Sequence, residues 1–205
     1  MHKEILSTNQ IALLPLIGEF SKQFILVGGT AIGLQLGHRQ SIDFDLFANK
    51  LIKPQSIKNK LESQNIDYSV IHQEYDQLHL IVNNVKLTFF TFPYEIEKTE
   101  NFENIIGMPN LLTLAAMKAL ALGGRAKWKD YVDLYFLLNY HCSLEEIELK
   151  AQEMFGKAFS AKLFRQQLSY FKDIDYTEDV YYSNGEKPSK KQIEQFLIDV
   201  TTTKF

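Results

Sequence analysis

Residues 24–47 read FILVGGTAIGLQLGHRQSIDFDLF. The stretch joins an apolar run, a Gly-Gly-Thr turn, a short segment of helical character and two aspartates one residue apart. Residues 24–27 read as a short buried strand, stopped by Gly28 and Gly29. Thr30 is the expected cap of a helix running to about Leu36, with Gly37 as its stop and His38 and Arg39 as cations near its negative end. Residues 41–47 then read as a second strand. Side chains alternate across a strand, so Asp43 and Asp45 fall on one face and Ile42, Phe44 and Leu46 on the other.

Each half of this stretch has a chemical reading and a plain one. Glycine tolerates positive φ and puts no side chain between backbone and ligand. The helix start that follows offers free N–H groups and a positive dipole end to an anion. The plain alternative is a tight strand-to-helix turn. Two neighbouring carboxylates repel unless a cation sits between them, and a hard divalent ion, Mg²⁺ or Mn²⁺, would leave positions open for substrate phosphates. The plain alternative here is an edge strand with an acidic solvent face. The combination is more specific than either part. A strand ending in GGT, one short helix and a strand carrying DxD could return the acids beside the glycines, as binding a nucleoside triphosphate requires. Neither GxxxxGK[ST] nor GxGxxG is present, which sets a dinucleotide-dependent oxidoreductase low.

The bulk of the chain agrees with a folded intracellular protein. Its 205 residues fit one large domain or two small ones, and 45% hydrophobic with 23% charged residues argues against disorder. A net charge of -3 does not force a nucleic-acid partner. Cys142 is the only cysteine, which excludes an internal disulfide and a multi-cysteine zinc site and suits a reducing cytoplasm. The first twenty residues are too polar for a signal peptide and no apolar run reaches membrane-spanning length, so the expectation is a soluble cytoplasmic protein with no membrane partner.

Periodicity places a helix at residues 8–20, with Leu13, Leu16, Ile17 and Phe20 on one face and Pro15 as a kink or the true start. Another helix is expected from Lys53-Pro54 to about Gln64. Strands are expected at 67–71, 77–82 and 85–92, with Asn83-Asn84 as a hairpin turn. This describes an α+β fold: a mixed β-sheet with packed helices over residues 1–107, then a helical half over 108–205. Helices in the second half are expected at 109–122, 127–138, 143–155, 160–171 and 190–200. An exposed loop is expected at 173–189, marked by Asn184-Gly185 and Pro188.

The stretch VGGTAIGLQLGHRQSIDFDLF resembles the signature of the AbiEii/AbiGii-toxin-type nucleotidyltransferases, within the DNA polymerase β-like superfamily. MKALALGGRAKWKDYVDLYFLL resembles that family's helical motif, and KDIDYTEDV followed by a final helix is similar to its C-terminal end. The resemblance implies a nucleotidyltransferase-like sheet and a helical domain that completes the active-site cleft. It implies transfer of a nucleoside monophosphate from an NTP to a hydroxyl acceptor, RNA or a tRNA end, by the toxin of a toxin–antitoxin or phage-defence pair with a cognate antitoxin. By the same resemblance Gly28, Gly29 and Thr30 bind nucleotide, Asp43 and Asp45 bind metal and are catalytic, Lys118 contacts the nucleotide's phosphates, and Asp130 is a downstream catalytic acid.

Read physically, Lys118 in an apolar helix either snorkels to water or faces an anion. Asp130 and Asp133 share a helix face and could pair with Arg125 or Lys129, so an ion-pair network is the structural alternative. One departure stands out. The superfamily's further carboxylate lies on the strand that here reads NVKLTFFTFPY, at a position matching Thr88, which cannot act as a base; Asp76 and Glu95 fit the register poorly. Three outcomes stay open: a one-metal transferase, a site completed by another residue, or a catalytically weak or inactive nucleotide-binding module with the same fold.

Overall fold

The computed structural model describes residues 1–183 and 185–202, which divide into two compact units, Met1–Asn110 and Leu111–Phe205. The first is built on a five-stranded mixed sheet of β1 (Ile25–Val27), β2 (Asp43–Ala48), β3 (Ser69–Gln73), β4 (Gln77–Val82) and β5 (Val85–Thr91), in the order β1-β2-β5-β4-β3. β2 and β5 run parallel and the other neighbours antiparallel. The mixed sheet with packed helices is the architecture expected from the sequence.

Alternation decides which face is core. Phe44 and Leu46 of β2, Leu78 and Leu80 of β4 and Leu87 and Phe89 of β5 are fully buried, while Asp43, Asp45 and Phe47 on the other face are half-buried. Phe89 meets Phe20 at 4.9 Å and Phe24 at 5.2 Å, both edge-on, a geometry contributing roughly 0.5–1.5 kcal/mol per pair beyond burial. The helix α1 (Thr8–Glu19) starts on a capping box: Ser7 Oγ accepts from the Gln10 amide, and the Gln10 side chain accepts from the Ser7 amide. Pro15 lies inside α1 on its exposed side, so it does not start the helix, and Leu13, Leu16 and Ile17 are buried. The helix α2 (Gly28–Leu36) stops at Gly37, whose φ of +67° suits glycine. The helix α3 (Pro54–Ser63) opens on its proline and buries Ile57 and Leu61.

The hairpin at Asn83 and Asn84 is present, with φ of +49° and +60°. Asparagine takes this left-handed region more readily than most residues. A second hairpin, β6 (Glu100–Phe102) with β7 (Ile106–Met108), carries no sequence expectation; three-residue strands are too short to display a period. Ile42 precedes β2 and is 57% exposed, so the buried face of that strand begins at Phe44.

The second unit is helical: α4 (Leu111–Leu122), α5 (Trp128–Tyr140), α6 (Leu144–Phe155), α7 (Ala161–Leu168) and α8 (Lys190–Thr202). α6 carries the same capping box as α1, between Ser143 and Glu146. Between α7 and α8 the chain forms the expected loop, although Asn184 lies outside the described residues. The loop is tied to the start of α5, where Lys127 and Lys129 reach Glu178 at 2.6 and 2.9 Å and the Trp128 amide donates to the Asp175 carbonyl at 3.0 Å. Burial pushes the Cys142 thiol up to about 11, as expected of a packed cysteine and not of a nucleophile. Among the described residues, no helix is long and apolar enough to cross a membrane.

Candidate active site

β1 ends at Val27, whose register partner on β2 is Asp45. The next residue, Gly28, has φ of +71°, and a Cβ there would lie 2.2 Å from Asp45 Oδ2. Only glycine fits. The Asp45 carboxylate therefore rests against the backbone at the first residue of α2, where the amides of Gly28, Gly29 and Thr30 have no partner within the helix and the dipole is positive. Asp43 sits one pleat earlier on the same face, opposite Lys86 of β5.

Thr30 does not cap α2. The helix begins two residues earlier, straight out of the positive-φ turn, with Val27 in the cap position and no side-chain bond there. The Thr30 hydroxyl, almost fully buried, instead donates to the Asp43 carbonyl, with Ser41 Oγ 2.9 Å away. This tether fixes the first residue of β2 against α2. It sets the position of both aspartates relative to the glycine turn.

Arg39 is also placed differently. It is 2% exposed, and its guanidinium lies along Gly29, since a Cβ there would stand 2.6 Å from Nη2. Nη1 donates to the Gln40 carbonyl at 2.9 Å. Because α2 spans only nine residues and the chain reverses at Gly37, a long side chain reaches back to the helix start. The charge therefore adds to the positive end of α2 instead of complementing its negative end. Pattern reading misses this; the shortness of the helix was the available signal.

Across the sheet, Asp45 pairs with Thr88, and Thr88 pairs with His79 of β4. Thr88 thus lies beside Asp45, at the position where the resemblance implies a third acid. His79 is half-buried with the His72 ring 5.4 Å away. Burial chiefly, then the charges of Lys86 and His72, hold its imidazole below the ordinary range, against an opposing pull from Asp45. These influences favour the neutral ring.

Among the described residues, no three His, Cys, Asp or Glu side chains converge as a ready metal cage. Two hard oxygen donors on one strand face nonetheless suit Mg²⁺, which takes one or two carboxylates and completes its shell with waters and substrate phosphates. The pair fits an ion that arrives with a triphosphate.

In the helical unit, Lys118 Nζ bonds Asp130 Oδ1 and lies 2.8 Å from Asp133 Oδ2, while Arg125 Nε donates to Asp130 Oδ2 at 3.2 Å. All three of Lys118, Asp130 and Asp133 are buried. Lys129 takes no part, being engaged by Glu178. The network staples α4 to α5.

A family model described as the nucleotidyl transferase AbiEii toxin of a type IV toxin–antitoxin system matches residues 16–76 and 90–202. The unmatched interval between them holds β4 and most of β5, with His79 and Thr88. The chain is 28% identical over 183 residues to aq_aa25 of Aquifex aeolicus (strain VF5), covering 85% of this chain and 88% of that protein. Among solved structures it is similar to MenT4, a nucleotidyltransferase toxin of Mycobacterium tuberculosis H37Rv, with TM-score 0.58 and 12% identity over 96% of this chain and 84% of that one. It is similar to JHP933 of Helicobacter pylori, with TM-score 0.55 and 16% identity over 98% of this chain and 87% of that one. At such identities the two structures speak to the fold, which is that of the nucleotidyltransferases.

Proposed function

Because the chain belongs to the AbiEii nucleotidyl transferase toxin family, we propose that it is a Mg²⁺-dependent (or Mn²⁺-dependent) enzyme that moves a nucleoside monophosphate from an NTP to a hydroxyl of an RNA acceptor, such as a tRNA end. Its setting would be the cytoplasm, as the toxin of a pair with a cognate antitoxin. The observation that carries the reading is the Asp45 carboxylate resting on Gly28 at the head of α2.

The amides of Gly28, Gly29 and Thr30, with the Arg39 guanidinium beside them, receive the anionic triphosphate. Asp43 and Asp45 would hold the divalent ion, which would neutralise phosphate charge and favour in-line attack. The acceptor oxygen forms a bond to the α-phosphorus, the bond to the bridging oxygen breaks, and pyrophosphate leaves with the electron pair. His79, one strand beyond Thr88 on the same face, takes the acceptor's proton in place of the third carboxylate.

Incubation with labelled triphosphates, Mg²⁺ and total RNA tests this. Wild type should label RNA and Asp43→Ala/Asp45→Ala should not; equal labelling by both removes the site. The register of Thr88 with Asp45 favours a second reading, a nucleotide-binding module with little turnover. Calorimetry giving Mg²⁺-dependent nucleotide binding with no transfer to any acceptor would select it, and robust turnover would end it.

A further inference from the structure

A groove of the first unit lies away from the glycine turn. It lies toward the other end of β2, a space of about 910 Å³ between the end of α1, the start of α3 and the segments that follow β2 and β5. Its charge is one-sided. Lys22, Lys50, Lys53, Lys60 and Lys98 line it against a single acid, Glu19, in a chain whose net charge is -3. Glu19 is already engaged, 3.1 Å from Lys60 and 2.7 Å from Gln64. Lys22, Lys50 and Lys53 are exposed.

The groove is joined to the aspartates by a row of aromatic rings. Phe47 lines it and follows Asp45 by two residues on the same strand face, a step of roughly 6.6 Å. The Phe47 ring lies 5.2 Å from Phe90 and 5.3 Å from Phe92, and Phe92 lies 5.3 Å from Tyr94. Phe47, Phe90 and Tyr94 keep part of their surface open. Phe92 is buried beneath them, so the open faces of the row belong to its neighbours.

Lysines that track a backbone beside aromatic rings that stack bases are the elements of single-strand recognition. We propose that this groove binds the single-stranded end of the acceptor RNA, its bases on Phe47 and Tyr94, its phosphates on the lysines and its terminal hydroxyl directed toward Asp43 and Asp45. The identity of the strand as acceptor rests on the transferase reading; the binding itself does not. The charge selects a polyanion and the rings select unpaired bases over an acidic protein.

The probe is a 5′-labelled decaribonucleotide, followed by fluorescence anisotropy on the full chain without nucleotide or metal. Wild type should bind it, with affinity falling as salt rises. Lys22→Gln/Lys50→Gln/Lys53→Gln, all exposed changes, should flatten the log–log salt dependence by up to about 2, at roughly 0.7 per single-strand phosphate contact. Tyr94→Ala should weaken binding roughly tenfold, in the range for one lost base stack. The same oligonucleotide annealed to its complement should bind more weakly than the single strand. Unchanged affinity and salt slope in the triple variant overturn the proposal, as does equal binding of polyglutamate or of the duplex. If the lysines govern binding but wild type transfers nothing, the groove stands and the transferase reading falls; if transfer is robust and indifferent to the lysines, the reverse holds.

Discussion

The two units each bring a pair of aspartates together, and they treat them oppositely. Asp130 and Asp133, one helical turn apart on α5, are buried with Lys118 between them and Arg125 on the rim. Two carboxylates and two cations close the charge within the unit. Asp43 and Asp45, one pleat apart on β2, are half-buried on a strand face, and Asp45 rests against a glycine where no side chain can stand. A helix lets a lysine on a neighbouring helix lie between two acids; a strand directs both acids to one face, toward whatever occupies it. The first arrangement suits holding two helices in place. The second suits an ion that arrives with its substrate.

The largest expected effect separates the pairs by what they support. Asp43→Asn/Asp45→Asn should lower nucleotidyl transfer by about a thousandfold or more, the scale of losing a main source of charge stabilisation. Its melting temperature should stay close to that of wild type. A variant that unfolds instead would mean the strand pair is structural too.

Lys118→Met should break the helical network from the other side. Removing the cation leaves Asp130 and Asp133 buried without it, a change that costs about 3–5 kcal/mol when one partner of a buried pair is lost. Urea titration reads this. Adding Asp130→Asn and Asp133→Asn to the variant should restore most of the loss. Lys118→Met with unaltered stability would remove the structural half of the contrast.

A smaller effect falls on His79. His79→Asn should lower the transfer rate about a hundredfold with little change in nucleotide affinity, the usual scale for a displaced proton acceptor. In wild type the rate should rise with pH through a value below the ordinary imidazole range, because burial and Lys86 favour the neutral ring. A profile identical in the two proteins would show that another group, or water, takes the proton.

Gly28→Ala probes the close approach itself. A Cβ at 2.2 Å from Asp45 Oδ2, on a backbone at φ of +71°, must displace either the carboxylate or the turn. A cost of about 1–3 kcal/mol in stability is expected. Nucleotide affinity should fall with it.

The smallest effect belongs to the loop before α8. Hydrogen bonding from Lys127, then from Lys129, holds Glu178 down at about 2. Its folded value lies below its unfolded one, so the stabilisation is complete above about pH 4.5 and disappears as pH falls toward 2. Glu178→Gln should therefore melt earlier than wild type at pH 7, with the gap closing across that interval. The residue is partly exposed, so solvent and salt should reduce the gap further.

Local chemistry is what could be read from the chain itself. Gly37 as a stop, Asn83-Asn84 as a hairpin and the alternation of β2 need only neighbouring residues. So does the expectation that GGT and DxD meet, because one nine-residue helix separates the strands and leaves little freedom in their return. What escaped reading depends on side chains that reach across turns. Arg39 belongs to the start of α2 because the chain folds back at Gly37, and the Thr30 hydroxyl belongs to Asp43 because the helix begins three residues before a cap at Thr30 would start it. His79 could not be placed beside Thr88 without the β4–β5 register. The partners of Lys118 were within reach of helical spacing, but the choice of Lys118 over Lys129 is made by the packing of α4 on α5.

The most direct test of the central claim, that the glycine turn and the two strand aspartates form one metal–triphosphate site, is calorimetric. A nucleoside triphosphate with a non-hydrolysable α,β bridge is titrated into wild type and Asp43→Asn/Asp45→Asn, each with and without Mg²⁺. Binding that needs Mg²⁺ in wild type and weakens at least about a hundredfold in the variant, some 2.7 kcal/mol, is the expected result. Equal affinity in all four titrations would contradict it.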